Sequence, residues 1–174
     1  MPSDTADSSC PQIAIWYNSS SNAEKLAAVI AQEFGVKVRG YKVDVRQYEA
    51  VEKAVDQVVR DFGRLDVMIA NAGIPSKAGG LDDQVEDWDH VRAVDFDGAY
   101  YCFRAAGLVF RRQGHGVGIA TASMSGHAAN VPQEQSCYNA CKAGVVRTDT
   151  VFPCTVLHVV HIGGRRWFLI SDLS

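Results

Sequence analysis

The chain of 174 residues is long enough for one domain with a buried core, and its 47% hydrophobic and 21% charged residues suit a soluble globular protein. A net charge of -3 without any basic stripe argues against binding nucleic acid or an anionic membrane surface. No apolar run approaches the ~20 residues that a membrane-spanning helix needs.

Residues 1–12 are acidic and Ser-rich with no signal-peptide core, and they read as a disordered tail of a cytoplasmic protein. The run 13–17 has the length of a buried strand and leads into the turn-prone residues 18–22. Ala23, Leu26, Ala27, Ile30 and Phe34 recur at helical spacing and stop at Gly35. Residues 36–43 alternate as a strand that ends at Asp44 and Val45. The pattern then repeats: Val51, Ala54, Val55, Val58, Val59 and Phe62 outline a second amphipathic helix closed by Gly63, and the apolar run 67–70 enters Asn71-Ala72-Gly73. A long helical stretch follows over 85–112, then a strand over 119–122 and a helix carrying Tyr138. Such alternation predicts the α/β class, a doubly wound parallel sheet with helices on both faces. Ligands bind such sheets at the carboxyl ends of the strands. Asp44, Asn71 and Ser123 all fall at predicted strand ends.

Tyr138 and Lys142 stand four apart, so on a helix they share a face and the ammonium can approach the phenol oxygen. A lone tyrosine titrates near ~10, and a neighbouring cation favours the phenolate, which suits the pair to general acid–base work. A serine beside it at the preceding strand end would hydrogen-bond a carbonyl or alcohol oxygen. The three groups together suit carbonyl reduction or alcohol oxidation.

Asp44-Val45, Asn71-Ala72-Gly73, Ser123 and Tyr138-x3-Lys142, in that order and each at its strand or helix end, resemble the short-chain dehydrogenase/reductase family over about 13–146. D-F-G-R-L-D at 61–66 and T-A-S-M-S-G-H at 121–127 look most like its fungal NADP-dependent mannitol dehydrogenase and sorbose or xylulose reductase branch. The resemblance implies a Rossmann-like fold and an oxidoreductase that passes hydride between NADP(H) and a small carbonyl or polyol substrate, a ketose or its alcohol. It implies Tyr138 as proton donor, Lys142 as the cation that tunes it and holds the nicotinamide ribose, and a serine that positions the carbonyl oxygen. Ser123 directly follows the strand and is favoured; Ser125 has the commoner spacing to Tyr138. Asp44 and Val45 would touch the adenine, and Asn71, Ala72 and Gly73 would line the cofactor cleft. Asn18 marks the end of the first strand, where Tyr17, Asn18, Ser19 and Ser20 offer no acid before Glu24, which favours NADP over NAD.

The chain also departs from that pattern. Residues 13–17 align with the family's second strand, so the expected sheet is incomplete: the first strand with its Gly-rich phosphate loop, and the C-terminal part, are missing from the match. The expected partial Rossmann-like domain spans 13–147, and 148–174 form an atypical C-terminal tail in which His158 and His161 read as chance residues of a short strand. Asp95 stands where many relatives have an Asn that supports a proton relay, and a modified relay role is expected of it. A second reading follows: a catalytically inactive truncated isoform that associates with full-length subunits, or a homo-oligomer, through the long helix over 85–112. Trp88, Val91, Tyr101 and Phe103 are its expected core or subunit contacts. Five cysteines without a C-x-x-C pair are expected as thiols, with Cys137 and Cys141 serving as packing residues.

Overall fold

The computed structural model describes residues 11–20, 22–77, 80–129, 131–148 and the backbone of 156–160. In chain order these form β1 (Ile13–Tyr17), α1 (Ala23–Phe34), β2 (Val38–Lys42), α2 (Tyr48–Phe62) and β3 (Val67–Ala70). Then come α3 (Val85–Arg92), α4 (Gly98–Gln113), β4 (Val117–Thr121), α5 (Ser136–Arg147) and β5 (Val156–Val160). The predicted order of elements holds, with shifted ends. β2 begins two residues late, α2 begins at Tyr48 rather than Val51, and β4 begins at Val117. Val156–Val160, part of the expected tail, extends the sheet as β5. Cys10, Pro153, Cys154 and His161 lie outside the described residues.

All strand pairings are parallel: β1 with β2, and β3 with β4 with β5. Residues of β1 and of β3 line one and the same cavity. Neighbouring residues of β2 show that helices cover both faces. A Cβ on Gly40 would meet Glu24 of α1, whereas the Tyr41 hydroxyl donates to Asp61 of α2 at 2.7 Å, and successive strand residues point to opposite faces. The core lies on the α2 side, where Val51 and Val55 of α2, Met68 and Ala70 of β3, Phe103, Ala106 and Phe110 of α4 and Ala120 of β4 are buried together. Gly63 and Gly114 close α2 and α4 in the left-handed region, at φ 82° and 80°, and return their N–H groups to Val59 and Phe110.

Two features differ from the periodic pattern. In α1 only Ala23 and Ala27 are buried, while Leu26 and Phe34 are 51% and 64% exposed, because the helix overlies only the two-stranded sheet. The long helical stretch is interrupted by a π turn over Ala93–Asp97 between α3 and α4. This wider turn carries Asp95 inward, and Gly98 follows where a Cβ would meet Val45 Cγ2 at 2.9 Å. No helix among the described residues is long and apolar enough to cross a membrane.

Candidate active site

Four side chains, two of them at strand ends, meet in one polar network. Asp95 is 1% exposed; its Oδ2 accepts the Ile74 N–H at 2.8 Å, and its Oδ1 faces Lys142 Nζ at 3.2 Å. Lys142, 3% exposed, donates to the Thr121 carbonyl at 3.1 Å. Thr121 in turn donates from Oγ1 to Asn71 Oδ1 at 2.9 Å, which ties the end of β4 to the end of β3. Gly73 sits against the pair: a Cβ there would stand 2.8 Å from Asp95 Oδ1 and 3.1 Å from Lys142 Nζ. Only the absence of a side chain lets this loop lie so close.

Burial pushes the Asp95 carboxyl above its ordinary range, against the Ile74 N–H and the Lys142 cation, which favour the charged form. Tyr138 stands one turn before Lys142 and is half-buried, with its ring centroid 5.5 Å from Lys142 Nζ. The ammonium therefore lies over the ring while it serves Asp95 and Thr121.

The serine turn is pressed against the same helix. Ser123 and Ser125 are 8% and 7% exposed, in a 3-10 turn over Met124–Gly126 whose first N–H groups Ser123 caps, its Oγ accepting the Ser125 N–H at 3.1 Å. A Cβ on Gly126 would meet the Lys142 carbonyl oxygen at 2.8 Å, so this turn touches the α5 backbone directly.

Asn18, Asp44, Val45, Asn71, Ala72 and Gly73, which follow the carboxyl ends of β1, β2 and β3, line one cavity of ≈ 820 Å³. The Asp44 carboxylate is occupied within it. Arg46 donates to it from Nε at 2.9 Å and Nη2 at 2.6 Å and from its backbone N–H at 3.0 Å, which holds the carboxyl below its usual range. Arg46 Nη1 also lies 3.3 Å from His90 Nδ1. Tyr138, Lys142, Asp95 and Ser123 do not line this cavity; Asp95 and Lys142 adjoin it across Gly73.

Arg46, Thr121 and Gly98 were not legible as site residues. A basic residue two positions after Asp44 was the only available signal for Arg46; the other two acquire their places from contacts made by the fold.

Residues 9–150 match the family described as enoyl-(acyl carrier protein) reductase. The chain is 51% identical over 135 residues to an NADP-dependent mannitol dehydrogenase of Hypocrea jecorina, covering 77% of this chain and 51% of the relative. It is 43% identical over 151 residues to an L-xylulose reductase of Hypocrea jecorina, covering 77% of this chain and 52% of that protein. Among solved structures, an NADPH-dependent 3-quinuclidinone reductase from Rhodotorula rubra superimposes with a TM-score of 0.77 at 36% identity, covering 86% of this chain and 58% of that one. The chain spans about half the length of the curated relatives it matches. With its parallel α/β architecture and the Tyr138, Lys142 and strand-end residues gathered at one edge of the sheet, the chain belongs to the short-chain dehydrogenase/reductase family.

Proposed function

We propose that the chain is an NADP(H)-dependent oxidoreductase acting on the carbonyl or alcohol group of a small ketose or polyol. The observation that carries this reading is the buried Asp95–Lys142 pair beside Tyr138, joined through Gly73 to the cavity that holds Asn18, Asp44, Val45, Asn71 and Ala72. The names of the relatives, a mannitol dehydrogenase and an xylulose reductase, support the substrate class and the cofactor.

The residues fit a dinucleotide phosphate. Gly73 presents bare backbone, and the one carboxylate at the strand ends, Asp44, is neutralised by Arg46. Glu24, the first acid after β1, accepts a hydrogen bond from Tyr17 at 3.1 Å, lies against Gly40 on the α1 side and does not line the cavity. When bound, the nicotinamide supplies or takes up the hydride.

The chain's own groups do the rest. The Tyr138 hydroxyl gives a proton to the substrate oxygen in reduction and takes it back in oxidation. Lys142 sets the field around that phenol and would hold the nicotinamide ribose. Ser123 holds the substrate oxygen, with Ser125 as the competing donor in the same turn. Asp95 fixes the position of Lys142 and is a positioning residue.

The test is NADPH oxidation by the purified chain with fructose, sorbose or xylulose, with Tyr138→Phe as the control. Removing the proton donor should lower the rate ~10²–10⁴-fold. Turnover that survives the substitution overturns the assigned mechanism.

Association with full-length subunits through the long helix has no comparable support: of its expected contacts Val91 and Phe103 are buried within the domain, and Trp88 is exposed.

A further inference from the structure

Arg46, in the connection between β2 and α2, is the only lysine or arginine among the described residues that line the cavity. It is held from two elements. Its Nε donates to both oxygens of Asp44, at 2.9 and 3.1 Å, and its Nη2 donates to Oδ2 at 2.6 Å. On the other side Nη1 stands 3.3 Å from Nδ1 of His90, which belongs to α3. A guanidinium can only donate, so neutral His90 accepts there through Nδ1 and carries its proton on Nε2. Contacts to a carboxylate and to an imidazole fix the guanidinium plane in a way that one ammonium contact does not.

This fixed pair leaves an acceptor and a donor side by side. Asp44 Oδ1 takes the Arg46 backbone N–H at 3.0 Å as well as Nε, whereas Oδ2 takes Nη2 and only a share of Nε. Oδ2 therefore keeps a lone pair. Each Nη of Arg46 also carries a second N–H, for which the described residues provide no acceptor. Both side chains line the cavity, so a ligand there meets the free lone pair and the free N–H together.

The two positions suit the edge of one base. Adenine presents an amine donor at position 6 beside a ring-nitrogen acceptor, and a donor next to an acceptor, as in the amide of Asn or Gln, reads that edge with two hydrogen bonds. Asp44 and Arg46 make the same pair from two side chains. A base with a carbonyl at position 6 would set its oxygen against Asp44 Oδ2, acceptor against acceptor.

We infer that Arg46 is a specificity-determining residue for the base of the dinucleotide, its Nη2 donating to a ring nitrogen of adenine while Asp44 Oδ2 accepts the 6-amine. The inference rests on the NADP(H) reading above and deepens it, from the class of cofactor to the group that reads its base.

The experiment titrates the full chain with NADPH and with its hypoxanthine counterpart, in which a carbonyl oxygen replaces the 6-amine, and reads both dissociation constants for wild type, Arg46→Met and Arg46→Lys. Wild type should bind NADPH about tenfold or more tightly than the hypoxanthine form. Arg46→Met should weaken NADPH about tenfold and the hypoxanthine form about threefold or less, so that the ratio falls to what Asp44 alone provides. Arg46→Lys keeps the charge and loses the planar fork, and it should behave like Arg46→Met. Equal weakening of both dinucleotides overturns the inference, since Arg46 would then serve a phosphate or the fold. Full discrimination in Arg46→Lys overturns it too, because charge alone would suffice. Equal binding of both forms by wild type overturns the base assignment and leaves the NADP(H) reading standing, whereas binding of neither form sinks that reading and this one with it.

Discussion

The Asp95 carboxylate and the Lys142 ammonium come from elements 47 positions apart in sequence and face each other at 3.2 Å, at 1% and 3% exposure. Two charges in so dry a place stand or fall together, because the burial cost of each is offset mainly by the other. Here the desolvation of Asp95 prevails, and its carboxyl is held above the ordinary range. The native state then keeps a proton that the unfolded chain gives up, so the Asp95 contribution favours folding at low pH. It is lost as pH rises from the unfolded value near ~3.9 through the raised native one. Asp95→Asn abolishes this titration while leaving an oxygen for the Ile74 N–H. The wild-type minus variant difference in urea midpoint should shrink as pH rises across that window and stay flat above it. A difference that grows instead would mean that Lys142 holds the carboxyl down.

Gly73→Ala and Gly126→Ala probe two close approaches of different kinds. At Gly73 the added methyl meets two buried charged side-chain ends, and at Gly126 it meets the α5 backbone at Lys142 and Ala143, between 2.8 and 3.0 Å. Overpacking of this sort costs ~1–3 kcal/mol. The Gly126 change should fall at the upper end, since helix backbone cannot step aside, and it should separate the serine turn from Tyr138. Chemical denaturation gives the first quantity, and turnover per folded molecule gives the second. Equal, negligible costs at both positions would show that the loops move freely against α5.

Buried thiols should be silent in the folded state. Cys102, Cys137 and Cys141 are 4%, 0% and 5% exposed, and burial pushes Cys102 and Cys141 to about 12. Because the thiolate is the reactive form, native protein treated with iodoacetamide at neutral pH should remain unmodified at these three positions and react fully in urea. The 3.9 Å between the Cys137 and Cys141 sulfurs reflects one helix face rather than a bond. Site-resolved mass spectrometry decides it; rapid labelling of Cys141 in native protein would mean that α5 opens readily from the π turn.

Much of this arrangement was readable before any coordinates, and the exceptions share a cause. Apolar periodicity outlined α1 and α2, a continuous apolar run marked β3, the spacing of Tyr138 and Lys142 placed α5, and the position after each strand brought out Asp44, Asn71 and Ser123. Periodicity cannot register a π turn, because one extra residue between Arg92 and Gly98 leaves the apolar positions on either side looking helical. Asp95 was therefore noticed only as a substituted relay residue. Its pairing with Lys142 exists because that turn rotates it toward α5. Similarly, Leu26 and Phe34 fit a buried face by spacing, but how many strands lie beneath a helix is a property of the assembled sheet. The polar ties made by Arg46 and Thr121 depend on distances between strand ends that no local pattern encodes.

On the proposed reading, cofactor preference rests on the end of β1. Asn18 and Ser19 line the cavity as uncharged groups, while Glu24 is turned back onto the Tyr17 hydroxyl at 3.1 Å and over Gly40. A carboxylate at this strand end would bind ribose hydroxyls and repel a 2′-phosphate. A ligand that binds only the folded state adds ~2.7 kcal/mol of stability at a hundredfold excess over its dissociation constant. Matched concentrations of NADPH and NADH should therefore raise the melting temperature unequally, NADPH more. Glu24→Gln should leave that inequality in place, since the side chain does not line the cavity. Asn18→Asp should narrow or reverse it, because the new carboxylate would face the 2′-phosphate without a partner. If Glu24→Gln rather than Asn18→Asp alters the preference, Glu24 must leave Tyr17 when the dinucleotide binds, and the end of β1 is organised around that acid instead.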